Sequence, residues 1–261
     1  MMSGFQEHSF RKRVNRCVGF ALFALAGVAY AQTDRADDPA AMILKRADEV
    51  RFPATGFQVD VAIRSSGVAG DDDERRELRV LSQGNANSIV MTTAPASERG
   101  QIMLMKGRDL WLFLPAVSQP VRLSLAQRLT GQVANGDIAR ANFTGDYNPK
   151  LLRREQIDND FYHVLELNAV DRAVTYQRVL YWVRENDYRP YKAEFYSTSQ
   201  RLLKTCYYEN YKMLGGQLRP TRLVMRDALK ADEQSLMEYS NLKSRDLPDK
   251  VFTKEYLKKL E

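Results

Sequence analysis

Apolar and polar positions alternate from Gly56 onward. Phe57, Val59, Val61 and Ile63 fall on one parity, and Gln58, Asp60, Ala62 and Arg64 on the other. A period of two is that of a half-buried strand. Runs of the same character follow at Arg75–Ser82, Asn87–Thr93, Gln101–Lys106 and Asp109–Leu114. They resume at Lys150–Ile157, Phe161–Leu167, Thr175–Arg184, Tyr191–Ser197, Leu202–Met213, Gln217–Asp227 and Gln234–Arg245. The connections are short and carry turn residues: Gly67–Asp73, Gly84-Asn85, Asp158-Asn159-Asp160 and Gly215-Gly216. Strands joined this way predict an antiparallel meander of about eleven or twelve strands and not βαβ units. Pro39–Val50 has the helical period, with Ala40, Ile43, Leu44, Ala47 and Val50 on one face. Pro39 suits its first turn, and Asp37 and Asp38 complement a helix N-terminus. A short closing helix is predicted over Lys250–Leu260, after Pro248.

One stretch, Lys106–Asp146, interrupts the meander. Its strand, Leu110–Leu114, breaks at Pro115, a helix-like run follows at Ser124–Leu129, and a Gly/Asn-rich crossing leads out. A long twisted antiparallel sheet curls and leaves a concave apolar face. The N-terminal helix and the Ser124–Leu129 run are the segments available to cover it. The expected fold is mainly β with a few helices, a half-open antiparallel β-barrel under an α-helical lid. Candidate cavity and lid residues are Val59, Val61, Ile63, Met91, Met103, Met105, Trp111, Phe113, Leu125 and Leu129. Flexible, polarizable methionines beside aromatic rings suit a pocket for acyl chains, and ordinary core packing accounts for them equally. Both parities of the Trp111 strand are apolar, so its sequence leaves open which one faces inward.

The N-terminus changes the picture of where the chain works. Arg11, Lys12, Arg13 and Arg16 precede an apolar run, Val18–Val28, and Ala29-Tyr30-Ala31 supplies a small–x–small cleavage pattern. These are the parts of a cleaved signal peptide over residues 1–31, and the apolar run is shorter than the ~20 residues that span a bilayer. Residues 32–261 are then expected as a single exported domain in the periplasm. Cleavage removes four cations and Glu7, taking the formal charge from +6 to +3. So mild an excess on an exported chain argues against a nucleic-acid partner. Cys206 is the one cysteine left, so no internal disulfide forms, and it reads as a small buried apolar residue.

Catalytic and metal-binding patterns are scarce. The mature chain keeps one histidine, His163, in an alternating strand, and no nucleophile turn, P-loop or dinucleotide fingerprint accompanies it. Zinc would lack His and Cys partners. Asp71-Asp72-Asp73-Glu74 lacks the spacing of a calcium loop and reads as a solvated hairpin tip. Neither an enzyme activity nor a cofactor or metal is expected. Tyr176 to Tyr211 is dense in aromatic residues interleaved with Arg and Lys. In an exported protein this reads as cross-strand aromatic pairing and not as a base-stacking platform.

DLWLFLPAV (109–117) with VRLS (121–124), then NGDIARANFTGDYNP (135–149), resemble the outer-membrane lipoprotein-sorting protein family, relatives of the LolA carrier. RPYKAEFY (189–196), PTRLVM (220–225) and the closing VFTKEYLKKLE fit the same family. The resemblance implies an unclosed β-barrel with a helical lid over a hydrophobic cavity. It implies a non-catalytic periplasmic carrier that binds acyl chains of lipids or lipoproteins and delivers them toward the outer membrane. It further implies an inner-membrane RND or ABC transporter as partner. The alternative is a non-catalytic periplasmic accessory module of such an exporter.

Overall fold

Thirteen strands form one antiparallel sheet whose two edges are joined by a single long connection. The computed structural model describes residues 38–67, 74–115, 117–230 and 232–257. In chain order the strands are β1 (Phe57–Ser66), β2 (Glu74–Gln83), β3 (Asn87–Ala94), β4 (Ile102–Lys106), β5 (Asp109–Phe113) and β6 (Val121–Leu123). After the connection, which carries the small hairpin β7 (Arg128–Thr130) and β8 (Val133–Ala134), come β9 (Tyr147–Ile157), β10 (Asp160–Ala169) and β11 (Arg178–Arg184). The sheet is completed by β12 (Pro190–Tyr196), β13 (Leu202–Leu214), β14 (Gln217–Asp227) and β15 (Gln234–Ser244). The helices are α1 (Pro39–Arg51), α2 (Asn135–Ala139) and α3 (Lys254–Leu257).

The sheet order is β6-β5-β4-β3-β2-β1-β15-β14-β13-β12-β11-β10-β9. Two meanders therefore meet in the middle, where β1 pairs with β15 from Phe57↔Ser244 to Ser66↔Gln234. The unpaired edges are β6 and β9, and the sheet is not closed. Residues 124–146 run from one edge to the other. Strand alternation fixes the two faces. Val59, Val61, Ile63, Leu78, Val80, Val90, Met103, Met105 and Leu110 join one core with Tyr181, Phe195, Tyr208 and Tyr239. On the opposite face, Leu81, Ile89, Ile102 and Leu104 pack beneath Val251, Phe252 and Leu257 of the C-terminal segment.

The helix α1 forms where the period predicts. Asp38 caps it, accepting from the Ala40 amide at 2.9 Å, and Pro39 opens it. Its buried face is Ala40, Ile43, Leu44 and Ala47, continued by the charged Asp48 and Arg51 in place of a fully buried Val50. Its C-terminal carbonyls are held by the buried Arg219 of β14, which donates to Glu49 O at 2.7 Å and Val50 O at 3.1 Å.

Three expectations are corrected. Fifteen strands are present among the described residues, not about eleven or twelve, because the crossing stretch itself supplies β6, β7 and β8. Ser124–Leu129 is not a helix but a turn leading into β7. Its carbonyls bond across the hairpin: Asn135 N donates to Gln127 O and Gly136 N to Leu125 O, at 2.9 and 2.8 Å, and the Asn135 side-chain Nδ2 to Ser124 O at 3.0 Å. The helix of the lid is instead the five-residue α2, so the lid is only partly helical. Within the described residues the start of the predicted closing helix is a 3-10 turn, Asp249–Val251, and α3 begins only at Lys254. The signal-peptide segment, Asp71-Asp72-Asp73 and the last four residues lie outside the described residues.

Candidate functional site

The connection over residues 124–146 is a flap that lies on the concave core, with Leu125, Val133, Ala134, Ile138 and Ala139 buried in it and Leu129 packed against it. The flap is fastened by polar side chains at both ends, not by the sheet ladder. At its start, Ser65 and Ser235 share a 2.8 Å hydrogen bond, and the Gln132 amide donates to Ser235 Oγ at 2.8 Å. Gly131 sits over this pair at φ +48°. A Cβ there would lie 2.1 Å from Ser65 Oγ and 2.3 Å from Ser235 Oγ, so only glycine fits.

The next fastening is a buried ion pair. Lys204 of β13 donates to Asp137 Oδ2 and to Gln132 O, each at 2.6 Å, and its third donor faces Met225 Sδ at 3.4 Å. Asp137 also accepts from the Ala134 amide at 2.8 Å and from the Tyr176 hydroxyl at 2.9 Å. The carboxylate at the third position of α2 thus caps its own helix and ties it to the sheet. Burial, then the Asp137 charge, push the Tyr176 hydroxyl well above its ordinary pKa.

At the far end, Asp48 of α1 accepts from the amides of Phe143 and Thr144 and from the Thr144 hydroxyl, at 3.1, 2.8 and 2.7 Å. Arg51 lies 3.6 Å from Asp48 and stacks over Phe143, with its Cζ 4.8 Å from the ring centroid. Asn85, in the β2–β3 turn, clamps the same segment: it donates to Asn142 O at 2.7 Å and accepts from Asn142 N at 2.9 Å. Ser88 donates to Ala139 O at 2.8 Å. Arg140 forks onto Asp146 and reaches Gly107 O at 2.6 Å, and Arg108 also meets Asp146.

The space under the flap is nearly filled. A void of about 10 Å³ remains between Phe57, Val59, Val61 and Val80 on the sheet and Ile138 and Ala141 on the flap. Ligand pockets for small molecules run to ~300 Å³ or more. A larger cleft of about 240 Å³ opens beside β7 and β8, bounded by Arg128, Val133, Arg201, Leu203, Lys204 and Leu229 among others.

Seven of the ten residues singled out in the sequence lie together on the concave core or the flap over it: Val59, Val61, Ile63, Met103, Met105, Leu125 and Leu129. Met91, Trp111 and Phe113 are on the other face, which corrects their reading as lining residues. Trp111 pairs with Leu104, and Met91 and Phe113 pair with Ile102, both members of the opposite cluster. The polar fastenings were missed, because Asp48, Asn85, Asp137 and Lys204 are ordinary surface types in a linear reading. One legible signal was Asp48 on the apolar stripe of α1, one position after Ala47.

His163 is half-buried on β10 between Arg154 and Val183. Among the described residues no group of His, Cys, Asp and Glu is placed to hold a metal, and no helix is long and apolar enough to cross a membrane. The aromatic run forms cross-strand contacts, such as Tyr191 with Tyr207 at 6.1 Å and Lys192 over Trp182 at 4.0 Å.

The fold and site define a class: an open antiparallel barrel whose gap is bridged by a flap, with its apolar face inward. A family model described as "-like: Uncharacterized protein" matches residues 84–259. The crystal structure of a LolA superfamily protein from Nitrosomonas europaea is 64% identical, covers 83% of this chain and 98% of its own, and superposes with a TM-score of 0.80. This chain belongs to the LolA superfamily. A domain from Vibrio parahaemolyticus described as an outer membrane lipoprotein-sorting protein shares the fold at 21% identity, with 84% and 98% coverage and a TM-score of 0.70. So does a DUF1329 family protein from Desulfovibrio piger at 22% identity, with 84% and 97% coverage and a TM-score of 0.70. Comparison with curated proteins gave no match.

Proposed function

We propose that this protein is an exported, non-catalytic carrier that takes acyl chains of lipids or lipoproteins onto the concave sheet face and delivers them toward the outer membrane. Residues 1–31 serve as the cleaved signal, residues 32–261 as the single carrier domain, and the periplasm as the compartment. The observation that carries the reading is the flap. It is a separate connection between the two unpaired edges, and it covers apolar surface through polar contacts that can be exchanged for water. Val59, Val61, Ile63, Met103 and Met105 would line the site, with Leu125 and Leu129 on the flap.

In this reading the filled interior belongs to a closed state of the carrier. Each methylene taken out of water contributes ~0.8 kcal/mol, opposed by the cost of displacing Leu125, Val133 and Ile138 from the core. Cargo shifts the flap only through its differential affinity for the open state, and release needs a partner acting in the same way. An inner-membrane RND or ABC transporter is the partner proposed from the family resemblance.

The test is protein recovered from the periplasm and analysed by native mass spectrometry for bound acyl species, together with uptake of a fluorescent fatty acid. An Asp48→Cys/Thr144→Cys pair, oxidised to fasten the flap to α1, should block uptake, and reduction should restore it. Absence of both bound acyl species and uptake would sink the carrier reading. The filled interior also favours the second reading, an accessory module of an exporter. That reading expects the oxidised pair to bind and support the transporter as well as the reduced one.

A further inference from the structure

We infer that the cleft between β7–β8 and the β13–β14 end of the sheet is a head-group site for an anionic amphiphile, separate from the chain-binding face. The cleft holds about 240 Å³, the scale of a head group and the start of a chain, against about 10 Å³ beneath the flap. Its walls divide by chemistry. Leu202, Leu203 and the 74% exposed Leu229 supply apolar surface. Arg128 and Arg201 supply exposed guanidinium groups, and neither forms a salt bridge among the described residues. Lys204 lies in the wall, only 3% exposed.

The carboxylate in the cleft, Asp227, accepts from the Leu229 and Lys230 amides at 2.7 and 3.0 Å and also feels the charges of Lys230 and Arg128. A carboxylate or phosphate entering the cleft meets Arg128 and Arg201, two guanidinium groups outside any salt bridge among the described residues, and guanidinium is the side chain suited to bidentate anion recognition. It also meets an ammonium whose third donor has only a thioether sulfur. Lys204 is the residue that anchors Asp137 and hence α2. An anion drawing Lys204 toward the cleft would therefore weaken one fastening of the flap. Head-group arrival is in this way coupled to access of the chain.

This inference rests on the carrier reading, and one titration separates the two. Calorimetry would use the intact protein with dodecyl phosphate, dodecanoate, dodecyl maltoside and inorganic phosphate, each below micelle formation. Wild-type protein should prefer the two anionic amphiphiles to the maltoside. Arg128→Gln/Arg201→Gln should weaken the anionic pair by about tenfold or more while leaving maltoside affinity and thermal unfolding unchanged. Dodecyl phosphate and dodecanoate compared with each other show which anionic head the forks take.

Equal affinity of wild type for charged and neutral amphiphiles overturns the head-group site and leaves the carrier reading standing. The same holds for equal weakening of all three in the variant. Inorganic phosphate binding as tightly as dodecyl phosphate also overturns it, since the cleft would then hold a free anion. Dodecyl phosphate bound through the arginines with no maltoside binding supports the cleft and removes the interior carrier.

Discussion

Asp48 and Thr144, 96 residues apart in the chain, meet through a 2.7 Å hydrogen bond in which the threonine hydroxyl donates to the carboxylate. The same carboxylate takes the Phe143 and Thr144 amides and lies beside Arg51, so one buried side chain joins α1 to the exit of the flap. Asp48→Ala strands both amides and leaves the guanidinium buried without its counter-charge. Its cost should be about 3–5 kcal/mol in urea unfolding, with Asp48→Asn costing less. Amide exchange at Phe143 and Thr144 should accelerate in both. A loss under about 1 kcal/mol for Asp48→Ala would show that the flap is held elsewhere.

The Lys204–Asp137 pair is buried at both ends, at 4% and 8% side-chain exposure. Removing one charge leaves the other desolvated and unpaired. Lys204→Met alone should therefore destabilise by about 3–5 kcal/mol, and Lys204→Met/Asp137→Leu by less than the sum of the single changes. A double-mutant cycle by chemical denaturation measures the coupling, and strict additivity would contradict it.

Gly136, the second residue of α2, lies against Thr175. A Cβ at Gly136 would lie 1.9 Å from Thr175 Oγ1 and 2.8 Å from its Cγ2. Gly136→Ala should cost about 1–3 kcal/mol through overpacking, and adding Thr175→Gly should return part of it. Thermal unfolding of the two variants distinguishes this clash from a simple propensity effect, which would favour alanine.

Burial pushes the Cys206 thiol up to about 12. At mildly alkaline pH the folded protein should react with a thiol-directed disulfide reagent at least about a thousandfold more slowly than the unfolded chain, because the thiolate is the nucleophile. The sign of the stability effect follows from the same shift. The unfolded thiol ionises first, so the contribution of this site is fully present below the unfolded pKa of ~8.5. It is then lost at roughly 1.4 kcal/mol per pH unit as pH rises toward the folded value. Cys206→Ala should flatten that part of the alkaline stability curve. An unchanged curve would show that the buried tyrosines carry the alkaline transition.

Trp111 and Val61 provide the test of which face is used. Trp111 lies on the outer face beside Leu104, and Val61 is buried in the concave core. Trp111→Asp should leave fatty-acid uptake intact, whereas Val61→Asp should lose it along with much of the core stability. Retained fold with lost uptake in Trp111→Asp would show that the acyl chain binds the outer face instead.

The sequence by itself determined the elements that local chemistry specifies. Asp38 and Pro39 mark the start of α1, period-two alternation marks β1 through β5, Gly84 and Gly107 mark turns between them, and Gly215 marks the turn from β13 to β14. Between Pro115 and Asp146 local patterning misled. Ser124–Leu129 has helical spacing, but its backbone acceptors are taken by Asn135 and Gly136 across a hairpin. The parity of the Trp111 strand was undecidable because both of its faces are apolar and both are covered, one by the flap and one by Phe252 and its neighbours. Only the tertiary structure decided that the gap falls between β6 and β9 and that the connection of residues 124–146 bridges it. The reason is physical: strand alternation is a local period, whereas pairing β1 with β15 and fastening Asp48 to Thr144 depend on residues more than ninety positions apart.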